Sequence, residues 1–230
     1  MKYFFLFIAL IVSFTTHAFK LSPMTLSLKK ESDFKNVVYV ENESSEVIAV
    51  EVTMAKREMD KFGKEKHPLA SSLFKVYPSQ LFLKPKEKRS LRLQWLGDKE
   101  IKDEQSFRLI AEQLPINVNA KKKQGIKLLL RYIAAVYVSP SSEKRDLAIK
   151  VKEQKGKKLT LEISNKGNVH QVLHDLKAIF TLNSKKKVTL EKLQLPNFAG
   201  ENILQGKTRI FTVELPSSER VKKVDLDFEQ

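Results

Sequence analysis

Histidine and cysteine are the side chains that most often carry metal or nucleophilic chemistry, and this sequence is poor in both. It has no cysteine and four histidines, which excludes thiol catalysis and thiolate metal sites. His170 and His174 are spaced so that one helix or strand face could present both of them to a metal ion. No third ligand and no Glu-x-x-His pattern accompanies them. We therefore interpret them as ordinary turn or surface histidines and predict no metal site.

Other catalytic motifs are missing as well. The chain contains no glycine-rich phosphate loop and no Gly-x-Ser-x-Gly segment. Acidic residues are plentiful but scattered, and nothing pairs two of them for acid–base catalysis. The sequence therefore favours a protein that is not an enzyme and that uses no cofactor.

The positive charge of the chain raises the question of whether it binds nucleic acid. The formal net charge is +15, which suits nucleic acid, anionic surfaces or acidic partners. The lysines are spread over polar strand faces and turns, as in the runs at 121–123 and 185–187. No recognition helix, aromatic stacking pattern or zinc-finger spacing accompanies them. Solvated loop tips explain these lysines better, so we expect no nucleic-acid partner.

The N-terminus has the order of a secretory signal peptide. A single lysine precedes an apolar run at 3–14, and Thr16-His17-Ala18 supplies a small-residue cleavage site. The run is too short to span a bilayer as a stable helix, and no second apolar segment of membrane length follows. We predict a signal peptide at 1–18, export to the periplasm and no stable membrane insertion. The alternative is a buried N-terminal helix.

Behind residue 18 the chain shows short β segments that are separated by polar turns. About seven or eight of them fall within roughly 115 residues, the pattern of an immunoglobulin-like sandwich. The stretch at 61–68 is interpreted as a polar loop and the stretch at 140–144 as a linker, after which the alternation restarts on a smaller scale. The sequence predicts an all-β protein with a first domain at 19–140 and a smaller β-sandwich domain at 141–230.

The rest of the chain is organised around the apolar stretch at 125–138. One parity is apolar throughout, with Ile126, Leu128, Leu130, Tyr132, Ala134, Val136 and Val138. A strand sends alternate side chains to the same face, and the opposite face adds Leu129, Ile133 and Tyr137. Because the apolar surface on these two faces exceeds what one core requires, we expect the strand to lend apolar surface to another protein. The alternative is a central strand that is covered on both faces.

Five segments of the first domain carry a resemblance. They are Phe-Lys-Val-Tyr-Pro at 74–78, Leu-Lys-Pro-Lys-Glu at 83–87, Leu-Arg-Leu-Gln-Trp at 91–95, Ser-Phe-Arg-Leu-Ile-Ala-Glu-Gln-Leu-Pro at 106–115 and Tyr-Ile-Ala-Ala-Val-Tyr-Val-Ser-Pro at 132–140. As a set they resemble the PapD-like periplasmic chaperones of fimbrial chaperone–usher systems. The resemblance is strong over the first domain and weak over the second.

The resemblance implies a fold, a function and a set of partners. It implies two immunoglobulin-like domains in a boomerang arrangement, with a long strand that is lent to a pilin subunit lacking its own last strand. Delivery of that subunit to an outer-membrane usher would follow. On the family's alignment Ile126, Leu128 and Leu130 fill the subunit's groove, and Tyr132 and Ala134 extend the row. Such a strand could also self-associate when no subunit is present.

The sequence departs from the family where the subunit's terminal carboxylate is usually anchored. The family has an arginine on the first strand and a lysine on the donor strand, but Pro23 and Ala135 stand at the aligned positions. Neither side chain can bind a carboxylate. Arg131, Lys127 and Lys20 are the substitutes we expect, the alternative being that they are solvated strand-edge cations.

A second departure concerns the link between the domains. The family's interdomain ion pair would place its acid at Glu104, but its base aligns with Ser139, so we expect a different link. The competing hypothesis for the whole chain is a secreted adhesin or structural scaffold with two immunoglobulin-like domains and no enzymatic activity. In that hypothesis the long strand belongs entirely to the core.

Overall fold

The computed structural model describes residues 19–116, 128–174, 176–195, 198 and 200–228. The predicted signal peptide at 1–18 lies outside these ranges, as do Ile126 and Lys127. Within them the chain forms β-strands and three short 3-10 turns (Lys30–Ser32, Ser71–Leu73 and Lys192–Gln194) and no α-helix. The all-β prediction is therefore confirmed. No helix of the described residues is long and apolar enough to cross a membrane.

The first domain is a sandwich of two sheets. Its strands are β1 (Phe19–Ser22), β2 (Thr25–Leu28), β3 (Lys35–Asn42), β4 (Ile48–Lys56), β5 (Glu58–Met59), β6 (Glu65–Lys66), β7 (Phe74–Tyr77), β8 (Gln80–Leu83), β9 (Lys88–Trp95), β10 (Gln105–Leu114) and β11 (Arg131–Val138). One sheet has the order β1-β3-β9-β7 and the other the order β2-β11-β10-β4-β8. Strands β5 and β6 pair only with each other.

Alternating polarity explains why these segments form strands and where their core lies. In β9 the side chains of Leu91, Leu93 and Trp95 are buried, whereas those between them face outward. A pleated strand with this alternation covers one face and leaves the other in water. Three aromatic rings join the two sheets. The Phe74 ring centroid lies 4.8 Å from that of Phe107 and 5.1 Å from that of Trp95, and the Trp95 and Phe107 centroids are 5.3 Å apart.

The second domain has its own strands and its own core. Its strands are β12 (Leu147–Lys155), β13 (Lys158–Asn165), β14 (Gln171–Val172), β15 (Leu176–Leu182), β16 (Lys187–Leu190), β17 (Asn202–Ile203), β18 (Thr208–Glu214) and β19 (Val221–Phe228). The orders β12-β13-β18 and β16-β15-β19 make two three-stranded sheets, and β14 pairs with β17. Its buried core is separate from that of the first domain. Two immunoglobulin-like sandwiches are present, as the sequence predicts, while the boundary at residue 140 stays a prediction.

The polar loop predicted at 61–68 is wrong in part, because this stretch closes a hairpin of β5 and β6. Asp60 makes the turn: its Oδ1 accepts the backbone N–H groups of Phe62 and Lys64 at 2.8 and 3.0 Å. Gly63 adopts φ +86°, a conformation that glycine reaches without steric cost. Two-residue strands are too short for a periodic pattern, so this hairpin could not be predicted from alternation.

Candidate partner-binding strand and interdomain cleft

Strand β11 is paired along the whole of one edge but only along half of the other. β10 pairs with it from Arg131 to Val138. On the opposite edge β2 pairs in parallel with residues 135–138 only, and the preceding strand, β1, belongs to the other sheet. Among the described residues, no strand covers this edge of β11 before Ala135.

The uncovered edge presents backbone groups that a strand could use. Ala135 donates its backbone N–H to the Met24 carbonyl at 2.8 Å, on the side of β2. Because alternate residues of a strand direct their N–H and C=O groups to the same side, Arg131 and Ile133 direct theirs to this edge as well. A row of unpaired backbone groups is a template for the addition of another strand.

The apolar face of this stretch leaves the core gradually. Val138, Val136 and Ala134 are fully buried. Tyr132 and Leu130 are partly buried against the same core, and the Tyr132 ring contacts that of Phe19 with centroids 4.8 Å apart. Leu128 is 73% exposed. One continuous apolar face therefore runs from the core into solvent beside the uncovered edge.

The predicted groove-filling residues thus have different environments. Ile126 lies outside the described residues. Leu128 is accessible, Leu130 and Tyr132 are partly so, and the side chain of Ala134 belongs to the domain's own core. The predicted strand at 125–138 begins at Arg131 within the described ranges.

Of the predicted carboxylate anchors, the structure describes Arg131 on β11 and Lys20 on β1, which belong to different sheets. Arg131 is exposed, with its Nε 3.6 Å from Oε2 of Glu112 on β10. Lys20 is exposed on β1, in the other sheet, where Glu41 is its cross-strand neighbour. Lys127 lies outside the described residues. Exposed ion pairs of this kind contribute about 0–1 kcal/mol.

A more enclosed cationic cluster lies next to Ala135. Its cross-strand neighbour on β10 is Arg108, whose Nε and Nη2 donate to the carboxylate of Glu65 at 2.7–3.0 Å. The buried Arg57 also donates to Glu65, from Nε at 2.8 Å, and Nε2 of His67 lies 2.9 Å from it. Two arginines therefore share one carboxylate beside Ala135.

The electrostatics of Glu65 follow from these contacts. Burial raises the pKa of its carboxyl, but the hydrogen bonds from His67, Arg108 and Arg57 outweigh burial and lower that pKa to about 2. The carboxylate stays ionised at any physiological pH. Fork-shaped guanidinium groups suit carboxylates because they donate two parallel hydrogen bonds.

The link between the domains is built on Glu104, whose side chain is buried. Its Oε2 accepts the Ser139 hydroxyl at 3.0 Å, and its Oε1 accepts the backbone N–H of His170 at 3.0 Å and lies 2.7 Å from His170 Nδ1. The His170 ring stacks on Tyr137, with centroids 3.7 Å apart. Glu104 therefore links the two domains through His170, a link that differs from the family's ion pair as we expect from the sequence. The interpretation of His170 as an ordinary surface histidine is wrong, whereas His174 is exposed.

Arg57, Arg108 and Glu65 were not predicted from the sequence as site residues. Arg108 had a usable signal, since it interrupts an otherwise apolar strand; its pairing with Ala135 is known only from the structure. Glu65 had none, because it comes from a hairpin that periodicity does not detect. Among the described residues no group of three or more histidine or acidic side chains could hold a metal ion.

Together these features define a class of protein, namely two immunoglobulin-like domains with a long strand that carries an uncovered edge and a partly exposed apolar face. Residues 18–144 match the family model described as pili and flagellar-assembly chaperone, PapD N-terminal domain. That match covers more than half of the chain. The chain therefore belongs to this family of pilus assembly chaperones.

Solved structures of fimbrial chaperones share the fold. The class 5 fimbriae chaperone CfaA matches with a TM-score of 0.62 at 18% identity, over 93% of this chain and 99% of that one. The CsuC–CsuE chaperone–tip subunit pre-assembly complex from Csu pili of Acinetobacter baumannii matches with 0.62 at 20% identity, over 91% and 97%. At such identities the likeness shows the fold alone. No curated protein matches the sequence.

Proposed function

We propose that this protein is a periplasmic chaperone that binds fimbrial subunits by lending them β11 and then delivers them to an outer-membrane usher. The subunit would add a strand along the edge of β11 that β2 leaves uncovered. Side chains at Ile126, Leu128 and Leu130 would fill the subunit's groove, with Tyr132 at the inner end of the row. Family membership and the fold shared with fimbrial chaperones support this function.

The observation that carries the proposal is the apolar face that leaves the core beside an uncovered strand edge. Leu128 is 73% exposed there, and an apolar side chain in water forgoes the stabilisation that burial would provide. Burying a leucine side chain stabilises a complex by about 1.5–3 kcal/mol, whereas an exposed ion pair contributes about 0–1 kcal/mol. Apolar burial should therefore dominate the affinity, and the surrounding lysines should contribute little.

The subunit's carboxylate has two possible anchors in this proposal. Arg131 and Lys20 are exposed cations on strands, and Lys127 is the third substitute that the sequence offers. Arg57 and Arg108 are more enclosed and already bind one carboxylate, that of Glu65. Because a desolvated guanidinium binds a carboxylate more strongly than a solvated one does, the arginine pair is the better candidate.

The test is capture of the fimbrial subunit encoded beside this protein, by wild type and by Leu128→Glu. We expect the wild type to capture the subunit and Leu128→Glu to lose it, because a charge would enter an apolar groove without a partner. Affinity purification measures capture, and circular dichroism measures folding of each variant.

The matched control is Leu193→Glu. Leu193 lies in the second domain and is 95% exposed, so the same substitution there should leave capture unchanged. Capture that survives Leu128→Glu would overturn strand lending along this face. If Leu128→Glu instead unfolds the first domain, the adhesin or scaffold hypothesis with a core strand gains support.

A further inference from the structure

Hairpin β5–β6 starts from the first domain and reaches the second. At its tip the carbonyl of Lys61 accepts the backbone N–H of Ile210 at 2.8 Å. Ile210 belongs to β18, which uses its other edge to pair with β13. The tip therefore contacts the edge of a sheet in the other domain through one main-chain hydrogen bond.

The tip is also held by Arg209, which is buried. Its guanidinium lies over the Phe211 ring, with Cζ 5.1 Å from the centroid, and Nη1 lies 3.4 Å from the Sδ atom of Met59. On the hairpin side it packs against Gly63 so closely that a Cβ atom there would overlap it. Gly63 is thus required for two reasons, the close approach and its positive φ.

The base of the hairpin is held by Glu65, which binds Arg57 and Arg108. Arg57 continues the network, because its Nη1 donates to the Tyr137 hydroxyl at 2.9 Å. Asn202 of the second domain donates to the same hydroxyl at 2.8 Å.

The contacts close a ring. The carbonyl of Asn202 accepts Nη1 of Arg209 at 2.9 Å, and Arg209 contacts the hairpin tip. The ring thus begins at Glu65, passes from the first domain to the second through Arg57 and Tyr137, and returns to the same hairpin. The contacts between Glu65 and the tip are therefore continuous.

We propose that hairpin β5–β6 is a latch between the domains that a partner's carboxylate opens: the incoming carboxylate replaces Glu65 on Arg57 and Arg108, and the tip then leaves Arg209. The identity of the partner, a fimbrial subunit, rests on the proposed function. The latch itself does not, because all of its contacts lie within this chain.

Competition is the physical basis of the latch. The two guanidinium groups bind a carboxylate by shape and charge, so a second carboxylate can make the same hydrogen bonds as Glu65. Glu65 is tethered, which gives it a high effective concentration and keeps the latch closed until a carboxylate arrives. Because such coupling is reciprocal, any change that loosens the tip must also make the arginines more available.

The first experiment uses sodium acetate as the carboxylate probe, against sodium chloride at equal ionic strength. NMR signals of the Arg57 and Arg108 side chains report acetate binding, and hydrogen exchange of the Ile210 amide reports the tip. In Glu65→Gln we expect tighter acetate binding and faster Ile210 exchange, each by roughly tenfold, since charge-assisted hydrogen bonds are about twice as strong as neutral ones. Glu58→Gln, an exposed change on the same hairpin, should match the wild type.

The second experiment loosens the tip through Arg209, without altering Arg57 or Arg108. Gly63→Ala should speed Ile210 exchange and also tighten acetate binding, by about fivefold or more, the lower end of coupling between linked sites. Gly156→Ala is the matched control, because Gly156 also has a positive φ (+58°) but nothing near its Cβ position.

Two results would overturn the latch. One is Ile210 exchange in Glu65→Gln that equals the wild type, which would separate the base of the hairpin from its tip. The other is Gly63→Ala that frees Ile210 and leaves acetate binding unchanged. Neither experiment contains a fimbrial subunit, so failure here leaves strand lending untouched, and loss of strand lending leaves these results standing.

Discussion

The first half of β11, residues 131–134, and its second half, residues 135–138, continue the same alternation of side chains but have different neighbours. The second half is paired on both edges and meets the second domain through Tyr137. The first half is paired on one edge only. Apolar side chains alone therefore do not distinguish a strand that could bind a partner. What distinguishes the first half is an edge without a described partner strand next to an apolar face that continues into solvent at Leu128.

The largest effect that separates the two halves is expected from Val136→Asp. Val136 is fully buried, so the substitution places an unpaired charge in the first core and should lower its free energy of unfolding by about 4 kcal/mol or more. The fluorescence of Trp95, the only tryptophan, reports unfolding of this core. Leu128→Glu on the same face should change the free energy by less than about 0.5 kcal/mol. Equal losses of unfolding free energy in the two variants would mean that this apolar face of β11 is buried along its whole length.

A smaller effect is expected from Glu104→Ala, which removes the link that the second domain makes to the end of β11. Each donor left without an acceptor in this contact, such as the backbone N–H of His170, costs about 1–3 kcal/mol. Urea unfolding followed by circular dichroism would measure the loss. Glu112→Ala is the control beside the first half, since Glu112 is exposed and faces Arg131 at 3.6 Å, and its effect should stay within about 0.5 kcal/mol. An equally small effect at Glu104 would contradict the role assigned to it.

Another expected effect is a dependence on pH that comes from Glu65, next to the second half. Its folded-state pKa is about 2, below the ordinary value of 4.5, so its contacts stabilise the fold above that ordinary value and are lost as pH falls toward 2. The difference in unfolding free energy between wild type and Glu65→Gln should therefore shrink between pH 5 and pH 2. Denaturation at several pH values measures it. A difference that does not change with pH would show that the carboxylate is not held by these cations.

Much of the fold could be predicted because its signal is local. Alternation within 125–138 identified the strand and its core face, and Val136 and Val138 are buried as that parity requires. The same pattern could not say where along the face burial ends, since this depends on which residues of the facing sheet, such as Phe19 against Tyr132, cover it. Leu128 and Val136 have the same parity and opposite environments.

The candidate site was less predictable because its contacts are distant in sequence. Arg108 and Glu65 are 43 residues apart, and Glu104 and His170 are 66 residues apart. Isolated polar residues in the sequence give no indication of such pairs. The resemblance located Glu104 by alignment, but its partner changed from a base at the position of Ser139 to His170 of the other domain.

The place where β2 begins has one more consequence for strand lending. From Ala135 onward the edge of β11 is already occupied, so a visiting strand can extend along it only as far as Ile133. If the proposed strand lending holds, β2 would act as an end stop, and the visitor's terminus would come to rest beside Ala135. Since a shift by one residue turns every side chain to the opposite face, this stop would also fix the register of the visiting strand. The chaperone would in this way measure the length of the segment it accepts.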